Sequence, residues 1–472
     1  MTASPDALPD APQTELFTLG RSSIDLYSLD IGAAFTDITR FGAYLGGSPL
    51  NIAVGASRLG VQAGLLTAVG EDQVGDFILA GLRREGVETG YIPRKPGTRS
   101  SAVMLAIQPP DRFPITFYRE NAADIQLGVA DLRAVPIESA RALVLGGSAL
   151  ARDPSRSATL HAARRAHDAG VTVYLDLDFR ADQWTDPLAF GLNIRALLRD
   201  VDVILGTEEE INAALLQDAA DVVIRHSMVT APEIRGDVAA NTAALLRDVP
   251  AVVVKEGARG CTVHQQGEAA IQVPGFPVEV LSVLGAGDAF AAGLVTGRLR
   301  GLNWAESARL GNACGAIVVT RVGCADFTPT WEEVQRLMDG LEVHVSRTAD
   351  AGPQVWTLMM RALMGDTVLL RFQGTWQHCP DSLPPPPDRT CWCSLRPAGL
   401  QEFGSIWYET RVPPGLHLSH RQIFDLTGNG LRSGSATVQA TAPPFVQPLH
   451  FLHVAYPANR RPEVPPSPTT QE

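Results

Sequence analysis

The feature that most constrains this chain is an alternation, sustained from Thr14 to Gly340, of short β-rich apolar runs with longer Ala, Leu and Arg segments of helical period. The runs are Leu16–Leu19, Leu65–Val69, Ala142–Leu145, Val171–Leu177, Val201–Leu205 and Ala251–Lys255. Several are apolar at consecutive positions, whereas a strand with one wet face alternates apolar and polar residues. They therefore need cover on both faces, and segments such as Ser157–Ala169 supply it as helices. The expectation is an α/β fold of three layers, a parallel sheet between helices. Two stretches, Ser28–Tyr44 and Ser101–Arg119, alternate more and are punctuated by Gly and Pro, as a small antiparallel β lid beside the main sheet would be.

Past Gly340 the pattern is lost. Residues 341–472 hold 17 of the 34 prolines, 6 of the 10 histidines and 4 of the 7 tryptophans, and no lysine. Pro384–Pro387 and Arg460–Glu472 have the composition of linker or tail. Val355–Met364 and Thr367–Phe372 have the lengths of a helix and a strand, but no period persists long enough to define a core. The expectation is an irregular extension: an interaction module, a remnant of a fused domain, or translation of a shifted frame. A zinc set from His378, Cys379, Cys391 and Cys393 would have Cys-x-Cys spacing, which is not that of a structural zinc site.

Ten arginines balance ten acids in the extension, so the net charge of −12 falls on the first 340 residues, with 29 basic and 41 acidic side chains. That acidity argues against sequence-independent binding to nucleic acid or to an anionic membrane, both of which need a basic surface. A small-molecule partner is expected. Met1–Thr14 has neither a basic start nor an apolar core and does not resemble a secretory or transit segment. No run approaches a membrane span. Six cysteines in 472 residues are too sparse for a disulfide framework, and the cytoplasm is the expected compartment.

Two segments carry chemistry. Leu284-Gly285-Ala286-Gly287-Asp288-Ala289-Phe290 runs straight into small residues of helical character. Glycines ahead of a helix let backbone N–H groups converge on an anion, and the helix start adds its positive end. Asp288, in the first turn, can then take a proton from an attacking hydroxyl while the cradle of Gly285, Ala286 and Gly287 holds the charge of a transferred phosphoryl group. In isolation the motif also describes a Gly-rich turn with an acidic helix cap. The second segment is Gly46-Gly47-Ser48-Pro49-Leu50-Asn51. Paired glycines permit close approach of a sugar to the backbone, and the Asn51 amide can donate to and accept from vicinal hydroxyls. Its weight comes from sharing one α/β unit with the first.

Over about residues 15–340 the sequence resembles the ribokinase-like carbohydrate kinases, the PfkB family, and both segments match that family's signatures. The resemblance implies a ribokinase-like three-layer sandwich and transfer of the ATP γ-phosphate to a sugar hydroxyl, with Asp288 as base. It further implies that Asp25 contacts the sugar alongside Gly46, Gly47 and Asn51. The turn containing Lys255, Gly257 and Gly260 would pass the nucleotide, and Asn312 would lie near the adenine. The family's Asn-x-x-Glu motif falls on Thr207-Glu208-Glu209-Glu210, leaving Glu210 to help organise Mg2+, through water as that ion prefers. Homo-oligomers, where formed, would pair through the lid.

The Asp-Thr that usually precedes the glycines is here Ser282-Val283. Val283-Leu284, together with Gly20–Tyr27, Tyr44–Pro49 and Phe117–Asp124, resembles the branch of the family that acts on 5-dehydro-2-deoxygluconate in inositol breakdown. Such a substrate carries a carboxylate, and Arg119 and Arg180 are the candidate clamp for it. Each could instead form an internal ion pair, with Glu120 or Asp178. The alternatives are a kinase for another sugar acid such as 2-keto-3-deoxygluconate, a fructokinase, or a sugar-binding regulator without activity. The intact Asp288 and its glycines speak against the last.

Overall fold

A computed structural model of the chain describes residues 14–108, 113–223 and 232–338 with their side chains, and past 340 the backbone of nine short strands between Leu341 and Gln447. The start of the chain, Pro384–Pro387, the end from Arg460, and His378 with Cys379 lie outside the described residues, as do the side chains of Cys391 and Cys393. The chain falls into two compact units, Met1–Gln335 and Arg336–Glu472.

The first unit is built on an eight-stranded sheet. Its order is Ile271–Val273, Cys261–Gln265, Ala251–Lys255, Val203–Thr207, Thr172–Asp176, Ala142–Gly146, Leu16–Leu19 and Ala63–Leu66. The last six run parallel, and the first two are added antiparallel at one edge. Successive apolar residues in each parallel strand divide between two cores. Leu143, Leu145, Val173, Leu175 and Ile204 pack with the helices Ser155–Asp168 and Pro187–Leu197. Leu16, Val144, Leu205 and Val253 pack with Ser48–Arg58, Gln73–Arg84 and Ala286–Leu299. This is why the runs read as continuously apolar, and each fully buried aliphatic side chain contributes about 1.5–3 kcal/mol. The expected run Leu65–Val69 is broken in two: the sheet strand ends at Leu66, and Val69–Gly70 pairs with Arg94–Lys95 instead.

Helix Ala286–Leu299 is pressed closely against Trp304–Val318, which fixes the position of its first turn. A Cβ on Gly293 would lie 2.9 Å from Gly311 Cα, and one on Gly297 would lie 2.9 Å from Ser307 Cα. Only glycine permits this approach.

The lid is a four-stranded sheet in the order Phe41–Gly46, Ser23–Ser28, Ser101–Leu105, Ile115–Tyr118. Its two outer pairs are antiparallel, as expected, while the middle pair runs parallel. The strand Ser23–Ser28 precedes the expected stretch Ser28–Tyr44 and shares only Ser28 with it, because residues 29–40 form a loop; the other three strands overlap the expected stretches. The Asp30 carboxylate organises that loop, accepting from the Thr39 and Arg40 amides and from the Arg40 guanidinium.

In the second unit, Val355–Met364 is a strand and not the helix that its length suggested. It pairs antiparallel with Leu341–Thr348 on one side and Thr367–Gln373 on the other. Its opening Val-Trp-Thr favours an extended backbone.

Candidate active site

Parallel strands deliver their carboxyl ends to one edge of the sheet, and the polar residues of the first unit gather where the chain leaves that edge. Asp176, Thr207 and Lys255 are each the last residue of a strand. Asp178, two residues past its strand, has a φ of 38°, a left-handed conformation that L-residues adopt at a cost. Ser148 Oγ donates to its Oδ2 at 2.9 Å, and Arg180 pairs with its Oδ1 at 2.9 Å.

Gly285 starts the helix that carries Asp288, in the left-handed region at φ 74°. A Cβ there would meet Cys324 Sγ at 2.9 Å. No side chain caps this helix start, which leaves first-turn amides for an anion. Lys255 Nζ sits 3.2 Å from where a Gly287 Cβ would be. Its ammonium therefore lies against the cradle, while donating to Asp176 Oδ1 at 2.9 Å and lying 3.6 Å from Glu210 Oε2. Burial works to lower the Lys255 pKa, but the Asp176 and Glu210 carboxylates outweigh it and hold the ammonium form above the usual lysine value.

Asn51 and Asp288, from the two separate motifs, are joined directly: Asn51 Nδ2 donates to Asp288 Oδ2 at 2.6 Å. Burial, with the Asp178 carboxylate adding to it, raises the Asp288 pKa above the ordinary value, against hydrogen bonds from Asn51 and Ser48 and the charge of Arg180. A raised carboxylate pKa suits a proton acceptor working near neutrality. Asn51 Oδ1 is buried without a partner among the described residues, a polar atom that a hydroxyl donor would satisfy.

Asp25 lies on the lid strand next to this pair, where Ser23 Oγ donates to it at 2.6 Å and the Tyr27 hydroxyl at 3.2 Å. Burial raises its pKa too, opposed by Arg21 and these hydroxyls. The need for Gly46 is steric: a Cβ there would fall 2.0 Å from Asp25 Cγ. Gly47 has φ 108° and opens the helix Ser48–Arg58.

The remaining expected residues have other engagements. Arg119 is buried and holds Asp124 through Nε at 2.8 Å and Nη2 at 2.6 Å, with Nη1 on Gln183 Oε1. Arg180 donates to the Phe179 carbonyl at 2.9 Å besides pairing with Asp178. Gly257 and Gly260, both at positive φ, shape the turn after Lys255. Asn312 donates to the carbonyls of Val273 and Pro274 at 3.0 and 3.1 Å, tying its helix to the edge strand. Glu210 closes a capping box with Thr207 and lies 3.8 Å from Arg180. Sequence reasoning missed Asp176, Ser48, Tyr27, Cys324 and Arg21. Asp176-Leu177-Asp178 at a strand end was the available signal for the first.

No group of three or more His, Cys, Asp and Glu among the described residues could cage a metal ion. Glu210, with one oxygen turned to the Thr207 amide, fits an ion held mainly by nucleotide phosphates and water, as Mg2+ is. No helix among the described residues is long and apolar enough to cross a membrane.

Residues 13–331 match the model of the pfkB family carbohydrate kinases. A 5-dehydro-2-deoxygluconokinase of Clostridium perfringens is 30% identical over 330 residues, 69% of this chain and 92% of that protein. A protein of the same name from Bacillus thuringiensis strain Al Hakam is 31% identical over 329 residues, 70% of this chain and 96% of the relative. Among solved structures, a PfkB protein from Polaromonas sp. JS666 has a TM-score of 0.57 at 26% identity, covering 68% of this chain and 99% of its own. A ribokinase-like protein of Escherichia coli, solved with ATP and Mg2+, shares the fold with a TM-score of 0.60 at 23% identity, covering 69% and 99% of the two chains.

Proposed function

The chain belongs to the pfkB family of carbohydrate kinases, a phosphotransferase acting on a sugar hydroxyl, and we propose that its substrate is 5-dehydro-2-deoxy-D-gluconate, phosphorylated at the 6-hydroxyl in myo-inositol breakdown. Relatives of that name at 30–31% identity support the choice of sugar acid. The observation that carries the chemistry is the meeting of Asn51 and Asp288 at an uncapped helix start with Lys255 beside Gly287.

In this reading Asp288 accepts the proton of the 6-hydroxyl. ATP would supply the phosphoryl group, and a Mg2+ ion, when bound, would offset the charge of its phosphates. Amides of the Gly285–Gly287 turn and the Lys255 ammonium stabilise the charge on the phosphoryl oxygens as it develops. Asn51 holds Asp288 in place by its amide and offers Oδ1 to a sugar hydroxyl. Asp25, fixed over Gly46, accepts from the remaining hydroxyls. The turn at Gly257 and Gly260 and the segment anchored by Asn312 would border the nucleotide, and Glu210 would help hold the ion through water. Exposed Leu29, Ile31, Phe35 and Tyr118 on the lid support pairing with a second copy through that surface.

The test is ADP release by the purified protein over a panel of 5-dehydro-2-deoxygluconate, 2-keto-3-deoxygluconate and fructose. The first should give the highest kcat/KM, and preference for another member of the panel would transfer the assignment to it.

A further inference from the structure

Three arginines converge on the sugar end of the site. Arg21, Arg119 and Arg180 each act on the partly buried carboxyl of Asp182. They differ in what they already hold. Arg119 has its Nε and Nη2 on Asp124 and its Nη1 on Gln183. Arg180 has Nη2 on Asp178 and Nη1 on a carbonyl. Both are charge-compensated from within.

Arg21 is not. It is 7% exposed, and its one side-chain hydrogen bond among the described residues runs from Nη1 to the hydroxyl of Ser23 at 2.9 Å. That hydroxyl is a neutral acceptor which donates its own hydrogen bond to Asp25. Asp25 feels the charge of Arg21, yet no ion pair joins them. A buried guanidinium without a carboxylate is costly, and its planar fork has the geometry of a bidentate carboxylate partner.

The fork is also held in place. Its guanidinium lies over the ring of Phe117, 5.0 Å from the centroid, so a lid strand fixes the plane. Its backbone carbonyl lies against Gly47, where a Cβ would come within 2.4 Å. Phe117 in turn lines a cavity of about 150 Å3 together with Arg119, Ser148, Asp182 and Gln183. Arg21 is thus linked to Asp25 through Ser23 and, through Phe117, to a cavity wall on the lid side.

We propose that Arg21 receives the carboxylate of the sugar acid and sets the preference for acid over neutral substrates, with Arg119 shaping the wall behind it through Asp124. This rests on the reading that the substrate is a sugar acid.

The test compares 5-dehydro-2-deoxygluconate with its methyl ester, which keeps the skeleton and loses the charge, in the full chain and in Arg21→Gln and Arg21→Lys. In Arg21→Gln, kcat/KM for the acid should fall roughly 10- to 150-fold, the worth of a charge-assisted hydrogen bond, with the loss mainly in KM. The ester should lose far less than the acid. Arg21→Lys, which keeps the charge without the fork, should recover part of the acid preference. Equal losses on both substrates, or an acid preference that survives Arg21→Gln, overturns the assignment of Arg21 and leaves the sugar-acid reading standing. A wild-type chain that prefers fructose to the acid overturns that reading, and Arg21 with it, before any variant is made. If melting shows Arg21→Gln unfolded, Arg21→Lys decides: an unchanged acid-to-ester ratio there refutes the role.

Discussion

Replacing Asp288 by Asn separates the proposed base from the cradle around it. The amide has the shape of the carboxyl, and its oxygen can still accept from Asn51 Nδ2, which now donates at 2.6 Å. Gly285 keeps its left-handed turn and Lys255 its place beside Gly287, so the anion site should survive. What is lost is the proton acceptor, worth about 10²–10⁴ in rate, or about 2.7–5.5 kcal/mol of barrier. ATP affinity, followed by nucleotide-dependent thermal shift, should stay near wild type while ADP release collapses. Stability gives an independent check with a definite sign. Burial and Asp178 hold the folded pKa of Asp288 above its unfolded value, so the folded state binds this proton more tightly. Stability from this group is full below the ordinary carboxylate pKa and is lost as pH rises through the raised one. Asn carries no such loss, and the variant should gain on wild type in chemical denaturation as pH rises across that window, with no gain at acid pH. Near-normal turnover would refute the base. A variant destabilised at neutral pH would refute the account of its environment.

Asn51→Ala removes a hydrogen bond that lowers the Asp288 pKa, so the acidic limb of the kcat/KM profile should move to higher pH; a limb that stays put means another group sets it. Gly46→Ala would drive a Cβ to 2.0 Å from Asp25 Cγ and should raise KM for the sugar while leaving KM for ATP nearly unchanged, measured in the same assay. A chain ending at Gly340 should keep kinase activity, since every site residue lies in the first compact unit; an inactive but folded product would show that the extension contributes to the site.

The layers and the motifs were legible in the sequence for different reasons. Strand residues buried on both faces leave a continuous apolar run, and Leu143-Val144-Leu145 records in its composition that consecutive side chains enter opposite cores. Gly285 and Gly47 were legible because positive φ and close backbone approach admit almost nothing else. Partner choice was not legible. Nothing in the order of residues tells that Arg119 turns to Asp124 and not to Glu120, since both acids are within reach of a long side chain. Arg21 was hidden for a related reason: an arginine after a strand is unremarkable until burial, Phe117 and the missing carboxylate are seen together. Asn312 was placed by the resemblance near the adenine, and its two amide protons go to backbone carbonyls at the sheet edge.

The charges at the strand ends explain why one of the chain's two lysines stands here. Among the described residues, Asp176, Asp178 and Glu210 pair with Lys255 and Arg180, and Asp288 beside them adds a fourth carboxylate, a surplus of acid. Burial first, and then the acidic neighbours, push Asp176 up to about 7 against the pull of Lys255. In the proposed reaction a triphosphate at this edge would deepen the deficit, and a divalent ion on its phosphates would restore the balance without a cage of protein ligands. The fixed positive charge must then sit against the cradle without filling it. An ammonium is a compact point charge on a flexible stem, whereas a guanidinium is a broad fork that would need the space above Gly287. In a chain with 39 basic residues, all but Lys95 and Lys255 are arginine, and at this position it is the smaller cation that lies beside the cradle.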